Sequence, residues 1–486
     1  MSRKPAAGYI NPNDPVYRNF TNTRQALWNR IAIQSEQKQD WSEYYHHRLQ
    51  KIYQFIIPSG SSVLEVGSGK GNLLAAVNPS VGVGLDFSEE MVKYAGNQFP
   101  HLKFIHANAQ TIPDQQTTFD FIILSDLVND VWDVQDVFNQ LQKFTTPKTR
   151  IILNYYSRIW EIPLKIAQKL KLAKPFEYQN WLTQHDLENL LQVCNFEVVR
   201  SWTEILFPFQ IPLFTAFFNR FIARIWPFNH FCMTNFMVAR PTPSESKQSA
   251  SVSVVIAARN EAGNIENIFK RVPEMGAGTE IVFVEGHSQD NTYEVIQENI
   301  PKFNRSASVY QQTGKGKGDA IRLGFEKASG DILMILDADL TVPPEDLPRF
   351  YDALVNAKGD FINGVRLVYP MEKEAMRFFN FLGNKFFSLA FSWLLGQSIK
   401  DTLCGTKVLW KSDYELIAKN RFYFGDFDPF GDFDLIFGSA KLNHKIVDLP
   451  IRYRERTYGS TNIQRWKHGL LLLRMLWVAA RRIKFI

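Results

Sequence analysis

Cysteine is nearly missing from this chain. Cys194, Cys232 and Cys404 are the only three in 486 residues, far apart and in no CxxC pair. That spacing excludes a disulfide framework and a zinc cluster of the usual kind, and it fits a reducing compartment. Long hydrophobic runs are missing too. Nowhere do 18 apolar residues follow one another without a charge, so no spanning helix is expected, and the first 30 residues hold no apolar run that would mark a secretory signal. Acids are absent from the last stretch: residues 465–486 carry Arg465, Lys467, Arg474, Arg481, Arg482 and Lys484 and no Asp or Glu. The net charge of the whole chain is +6, so everything before residue 465 sums to zero. A basic end on a neutral body points to an anionic surface. Leucines and a tryptophan lie between the cations, which argues against a nucleic-acid partner.

What remains is the composition of a folded protein, 45% hydrophobic and 21% charged, and its length exceeds one ordinary hydrophobic core. From Ser62 to about Arg240, β-rich runs alternate with helical stretches: "VLEVG", "GVGLD", "KFIHA", "FDFIILS" and "RIILNYY" predict a parallel, doubly wound sheet. "FEVVRSW" and "CMTNFMVAR" would add an antiparallel edge pair, separated by an aromatic stretch expected to be a helical insertion. Residues 1–60 form a helical extension, in which "WSEYYHHRLQKIYQFI" has the period of a lid or packing helix. "PTPSESKQSA" (241–250) has no apolar period and opens on two prolines, as a linker does. Alternation then restarts at "SVSVVIAA" and continues through "EIVFVEG", "SVYQQT", "DILMILDAD" and "DFINGVRL", predicting a second α/β domain over 251–464.

In the first domain Gly67, Gly69 and Gly71 follow a buried strand directly and precede a helix, where bare backbone lets a ligand approach amides. Asp86 ends the next strand, placed to accept hydrogen bonds from two ribose hydroxyls. The dinucleotide fingerprint G-x-G-x-x-G fails, because its sixth position is Asn72. Glu65-x-Gly67-x-Gly69-x-Gly71, then Asp86, "HANAQTIP" and "FDFIILSDLVND" together resemble class I S-adenosylmethionine-dependent methyltransferases along 60–240. The resemblance implies a Rossmann-like sheet and S-adenosylmethionine as cofactor. It would set Gly67 and Gly69 along the methionine part, Asp86 on the ribose, Phe87 beside the adenine, and Asn108 with Ala109 at its edge, with Glu65 and Gly71 also among the cofactor-binding residues. Methyl transfer to oxygen needs a base near the hydroxyl; Asp126, Asp130 and His185 are the candidates.

In the second domain, "GKGKGDAIRLG" is a basic, glycine-rich loop entering a helix, suited to phosphate but not a Walker A loop. Asp337 and Asp339 end an apolar run. If that segment is extended, both point to one side, where paired hard oxygens attract Mg²⁺ or Mn²⁺. "ARNE", "SQDNT", "KGKGDAIRLG" and "LDADL", in this order and spacing, resemble family 2 glycosyltransferases of the GT-A fold over roughly 251–460. The resemblance implies an inverting, metal-dependent sugar transfer from a nucleotide-sugar. Ala257, Asn260, Glu261, Glu285, Lys317, Asp319 and Asp337 would bind the donor, Asp337 and Asp339 the metal and diphosphate, and Asp432 would be the general base. Asp426, Asp428 and Asp434 lie in the same stretch. "RYRERTYGSTN" is similar to the mobile loop of dolichol-phosphate-mannose-synthase-like members, matching best at Gly459 and Ser460. A phosphate acceptor needs no base but cationic forks, for which Arg366, Arg452, Arg454, Arg456 and Ser460 are available.

Two acceptors stay open: a lipid phosphate, or the hydroxyl of a growing glycan. In the second case the first domain could instead be a non-catalytic sensing or docking module. "MRFFNFLGNKFFSLAFSWLLG" (376–396) and the basic helix predicted over 465–486 suggest peripheral contact with an anionic membrane at the cytoplasmic face.

Overall fold

The computed structural model describes residues 14–33, 42–113, 117–169, 177, 179–211, 213–243, 249–366, 368, 378–421, 431–456, 458 and 465–485. Of Ser42, 378–382, Asp432 and 465–468 it describes the backbone alone. The chain divides into two compact units, Met1–Thr242 with Phe485–Ile486, and Pro243–Lys484.

The first unit is built on seven strands: β1 (Ser62–Val66), β2 (Val81–Asp86), β3 (Lys103–His106), β4 (Phe121–Ser125), β5 (Arg150–Tyr156), β6 (Phe196–Glu204) and β7 (Thr234–Pro241). They lie in the order β3-β2-β1-β4-β5-β7-β6, with the first five parallel and β7 antiparallel to both neighbours. Its helices are α1 (Pro15–Ile33), α2 (Ser42–Ile56), α3 (Asn72–Ala76), α4 (Glu89–Gln98), α5 (Val134–Leu141), α6 (Glu161–Lys169), α7 (Gln184–Val193) and α8 (Phe214–Arg220). Strands buried on both faces need apolar residues at every position, and this explains the near-continuous runs. Val63, Ile123 and Ile152 meet Tyr53 and Ile56 of α2 on one face. Leu64, Ile122 and Leu153 meet Val137 and Phe138 of α5 on the other. Helix α2 is therefore a packing helix. Between β6 and β7 the expected helical insertion is present in short pieces, the seven residues of α8 followed by 3₁₀ turns at Ile222–Arg224 and Phe228–Phe231.

The second unit carries β8 (Val252–Ala258), β9 (Thr279–Glu285), β10 (Ala307–Gln311), β11 (Ile332–Ile335), β12 (Phe361–Val365), β13 (Lys407–Trp410) and β14 (Ile446–Pro450). Their order is β10-β9-β8-β11-β13-β12-β14, and β13 runs antiparallel between β11 and β12. The helices are α9 (Ala262–Arg271), α10 (Thr292–Phe303), α11 (Lys317–Lys327), α12 (Leu347–Val355), α13 (Phe378–Leu395), α14 (Lys411–Lys419), α15 (Asp432–Lys441) and α16 (Arg465–Ala479). Ile256 and Phe283 pack on Ile265 and Phe269 of α9. Val255 and Ile335 pack on Phe325 of α11 at the opposite face.

The two greasy stretches are half core and half surface. Helix α13 buries Phe387, Phe391 and Leu394 and exposes Phe386, Leu389 and Trp393. Helix α16 sinks Leu472, Met475 and Ala479 into the same core and exposes Leu470, Leu473 and Trp477. Lys484 joins them by donating to the Trp393 carbonyl at 2.8 Å, and Arg481 stands over the Trp477 ring. None of the described helices is long and apolar enough to cross a membrane.

Candidate active sites

Each sheet reverses its strand order beside its first strand, β1 against β4 and β8 against β11, and such a reversal opens a crevice at the carboxyl ends. Several of the residues singled out from the sequence lie at these two places.

At the first crevice Gly67, Gly69 and Gly71 all have positive φ, of 78°, 50° and 77°. A Cβ at Gly71 would strike the Phe104 ring and one at Gly67 the Leu127 side chain, whereas one at Gly69 would meet nothing within 4 Å. Side chains are thus barred at the two ends of the turn, and open space lies beside its middle. The Gly69 amide donates to Asp86 Oδ2 and the Ser88 amide to Asp86 Oδ1, each at 2.8 Å. Burial pushes the Asp86 carboxyl up, against the pull of those amides. Glu65 is 2% exposed; burial holds its carboxyl well above the usual range, and Oε2 has no hydrogen-bond partner among the described residues. Among the described residues, hydrogen bonds to Glu65, Asp86 and Asp126 come from amides, a phenol and an amide side chain, and none from Lys or Arg. An orphaned acceptor, an open glycine turn and unneutralised carboxyls fit a ligand carrying positive charge, as S-adenosylmethionine does.

The cover of this crevice is α1, which the sequence alone does not mark. Gln25 Nε2 donates to the Phe87 carbonyl at 2.8 Å, Asn29 Oδ1 accepts from Ser88 Oγ at 2.6 Å, and Tyr17 OH accepts from Asn108 Nδ2 at 3.1 Å. Asn108 Oδ1 takes the Gln110 amide, so the Asn108 side chain closes its own turn and anchors α1. Ala109 follows, half-buried. Asp130 is spent on the same cover, accepting from Arg24 Nε and Trp28 Nε1, each at 2.8 Å. His185 is exposed on α7. Asp126 differs from both. Its Oδ1 accepts from Tyr45 OH at 2.8 Å and Asn154 Nδ2 at 2.7 Å, and burial pushes its pKa up to about 7.

At the second crevice β11 stops at Ile335, and Asp337 and Asp339 sit on a turn closed by the Leu340 amide donating to the Asp337 carbonyl. This corrects the extended segment expected from the period. Alternation persists nonetheless: Leu336 and Ala338 are buried and the two acids half-buried. Asp337 Oδ1 is held by Lys317 Nζ at 2.6 Å. Burial works against the charged Asp337, but Lys317, Arg366 and Lys407 outweigh it and hold its carboxyl below the usual range. A Cβ at Gly405 would collide with that carboxylate, so Gly405 is required by close approach. Asp339 Oδ1 accepts from the Thr341 amide and hydroxyl, and Oδ2 from Arg456 Nη2 at 2.6 Å. Arg456 Nη1 reaches Glu261 Oε1 at 3.1 Å, and Asn264 donates to Glu261 Oε2 at 2.7 Å. The ring of Tyr458 lies where Gly263 has no side chain.

Other expected donor ligands are turned to local work. Ala257 is half-buried near the end of β8. Asn260, at φ 56°, accepts the Gln289 amide, and its own amide donates to Ser288 Oγ. Glu285 bends back to accept the Ser288 amide at 2.5 Å. Asp319 accepts the Gly314 amide at 3.2 Å and so braces the glycine loop. Arg366 is committed by both prongs to Asp401, at 2.7 and 2.8 Å, and Asp401 is wholly buried. As placed it supports the site and is not open to a phosphate. Arg454 is exposed, its amide donating to the Thr341 carbonyl. Asp434 pairs with Arg322 and Arg421. Asp432 opens α15, but its side chain lies outside what is described, as do Asp426, Asp428, Gly459 and Ser460.

No group of three or more His, Cys, Asp or Glu among the described residues could hold a metal by itself. Mg²⁺ commonly takes one or two carboxylates and completes its shell from water and substrate phosphates. Asp337 and Asp339 fit that limited part, and the cations on them mark where a positive charge is wanted.

Residues 253–410 match the family described as Glycosyl transferase family 2, and residues 41–201 match a family described as Methyltransferase domain. The first unit is thus similar to methyltransferase domains and the second to family 2 glycosyltransferases, neither match spanning half of the chain. It is 32% identical to a dolichol-phosphate mannosyltransferase of Pyrococcus furiosus over 44% of this chain and 59% of that one. It is 26% identical to an undecaprenyl-phosphate 4-deoxy-4-formamido-L-arabinose transferase of Edwardsiella ictaluri over 47% of this chain and 66% of that one. The chain thus spans less than two thirds of the length of either relative. A crystal structure of magnesium protoporphyrin IX methyltransferase from Synechocystis with bound SAH overlaps 46% of this chain and 98% of that one, at 15% identity and a TM-score of 0.33.

Proposed function

We propose that this chain is a bifunctional transferase: its second unit moves a sugar from a nucleotide-sugar to a polyprenyl phosphate with inversion, and its first unit methylates an oxygen of the same class of glycolipid. The observation that carries the sugar-transfer half is the acid–cation chain Lys317–Asp337 and Glu261–Arg456–Asp339 at the ends of β8 and β11. A site lined this way holds a diphosphate by exchanging partners: Lys317 remains a counter-ion for the phosphates, and Asp339 is left to a divalent cation once Arg456 turns away. Asp339 and Asp337 would hold the cation, which would neutralise charge on the departing nucleoside diphosphate. The acceptor phosphate is already an anion and needs no base, so Arg454 and Arg456 hold its oxygens while one attacks the anomeric carbon. The relatives' names, with dolichol and undecaprenyl phosphates in them, support this acceptor over a glycan hydroxyl. The outward faces of α13 and α16, rimmed by Arg481 and Lys484, support contact with an anionic membrane.

In the first unit S-adenosylmethionine supplies a methyl group on a sulfonium. Asp86 and Glu65 would hold it beside the glycine turn, α1 would exclude water, and Asp126 would take the proton of the acceptor hydroxyl. Incubating the full chain with labelled UDP- and GDP-sugars, polyprenyl phosphate and Mn²⁺ tests the sugar half. Label should enter the lipid phase, stop with EDTA, and survive Asp432→Asn. Label reaching only a glycan, and lost in that variant, would reverse the choice of acceptor.

A further inference from the structure

On the methyltransferase unit, the segment between β6 and β7 is folded inside out. Helix α8 buries Thr215 and Asn219 and exposes Phe214 and Phe217, with Phe221 exposed one turn on. The buried pair is fastened. Asn219 Nδ2 donates to Tyr44 OH at 2.8 Å and to the Phe207 carbonyl at 2.7 Å, and Asn219 Oδ1 accepts the Phe207 amide at 2.8 Å. Thr215 Oγ1 accepts the Ile211 amide at 2.9 Å. Polar side chains pinned inward thus fix the aromatic ones outward. Leu213 at 88% and Trp226 at 75% exposure extend the face. Trp160 Nε1 donates to the Phe231 carbonyl at 2.9 Å, which sets the start of α6 beside the end of the segment, and α6 exposes Ile162 and Ile166. Single exposed apolar residues are ordinary, but this many on one short segment whose polar side chains turn inward are not.

Charge indicates what covers it. Residues 205–232 contain Arg220, Arg224 and His230 and no Asp or Glu. Arg224 is turned inward onto Glu204, while Arg220 and His230 are exposed. Phenylalanine and tryptophan in a segment whose own charges are all basic suit the headgroup zone of an anionic bilayer, where rings sit in the acyl boundary and cations meet phosphate; on α6 the one acid, Glu161, is paired with Lys165.

We propose that this face of the methyltransferase unit inserts into a lipid bilayer, and that its methyl acceptor is therefore presented at a membrane surface. The second clause rests on the lipid-linked acceptor proposed above; the first stands on the face itself. The test uses the full chain with Phe217→Cys carrying an environment-sensitive fluorophore, which the three buried native cysteines leave as the accessible thiol. With vesicles of phosphatidylcholine and phosphatidylglycerol, the emission should shift to the blue and be quenched by lipids brominated on their acyl chains. Unlabelled protein with Phe214→Ser, Phe217→Ser and Trp226→Ser together should partition about tenfold more weakly, while S-adenosylhomocysteine binding is kept as proof of folding. An unshifted label on protein that still sediments with vesicles would overturn the proposal and leave the α16 contact standing. Conversion of a dimer to a monomer by the triple substitution would overturn it in favour of a second copy of the chain. A shifted label without methyl transfer into a glycolipid extract would remove the acceptor clause alone.

Discussion

The two crevices share one plan and satisfy their acids differently. In each, parallel strands run in the order third, second, first, fourth, and a strand–turn–helix meets the reversal. In the methyltransferase unit Asp86 and Asp126 accept from amides and a phenol, Glu65 keeps one oxygen without a partner among the described residues, and burial raises all three carboxyls. In the glycosyltransferase unit Asp337 and Asp339 are satisfied by Lys317 and Arg456. On the proposed reading the first arrangement would be stabilised by a cationic ligand, and the second, which already contains cations, would be completed by an anion. One topology would then serve a sulfonium and a diphosphate, with the choice made by a few side chains at the strand ends.

The strongest way to break this comparison is Asp339→Ala, which should lower sugar transfer about a thousandfold or more. Methyl transfer should stay within about twofold; a parallel fall in both rates would show that the crevices are not independent. Next in size is Arg366→Ala. It leaves Asp401 buried without its partner, a cost of about 3–5 kcal/mol to the glycosyltransferase unit by denaturant unfolding. Arg366→Lys should recover only part, because the two-pronged geometry is lost. If stability is unchanged and acceptor KM rises instead, the arginine binds phosphate after all.

Asp126→Asn sharpens the comparison on the other side. Tyr45, Tyr53 and Tyr156 surround Asp126, and no cation hydrogen-bonds to it among the described residues. With its pKa raised to about 7, it is a base above that pH and protonated below it. Methyl transfer should therefore fall as pH drops through 7, and Asp126→Asn should remove that limb along with about a hundredfold in rate. Linkage has the opposite sense. The folded state keeps this proton to higher pH than the unfolded state, so its contribution to stability is present below the ordinary carboxylate range and lost as pH rises through about 7. A rate profile flat through pH 7 would dismiss Asp126 as the base. The smallest effect is expected for Arg24→Ala, which frees one end of α1 from Asp130 and should weaken S-adenosylhomocysteine only a few-fold, about 1 kcal/mol.

The sheet and the glycine turn were legible because they rest on short-range chemistry: near-continuous apolar runs spaced by helices, and positive φ at Gly67, Gly69 and Gly71. The cover was not. Helix α1 works through Tyr17, Gln25 and Asn29, polar residues whose targets lie 59 to 91 positions away, and no apolar period announces them. Strands β13 and β14 also escaped notice, at four and five residues, with Lys407 buried among the apolar positions. Arg366 looked like a free cation because Asp401 is 35 residues further on. Gly405 and Gly263 gave no signal, since each is needed only for a side chain from elsewhere, Asp337 and Tyr458.

Calorimetry on the full chain tests the opposition of the two crevices most directly, titrating S-adenosylhomocysteine and, separately, nucleoside diphosphates with Mn²⁺. Each class should bind one site. Asp86→Ala should abolish only the first heat, and Asp339→Ala only the second. Loss of both heats in either variant, or a diphosphate that still binds after Asp339→Ala with Lys317→Ala, would contradict the account.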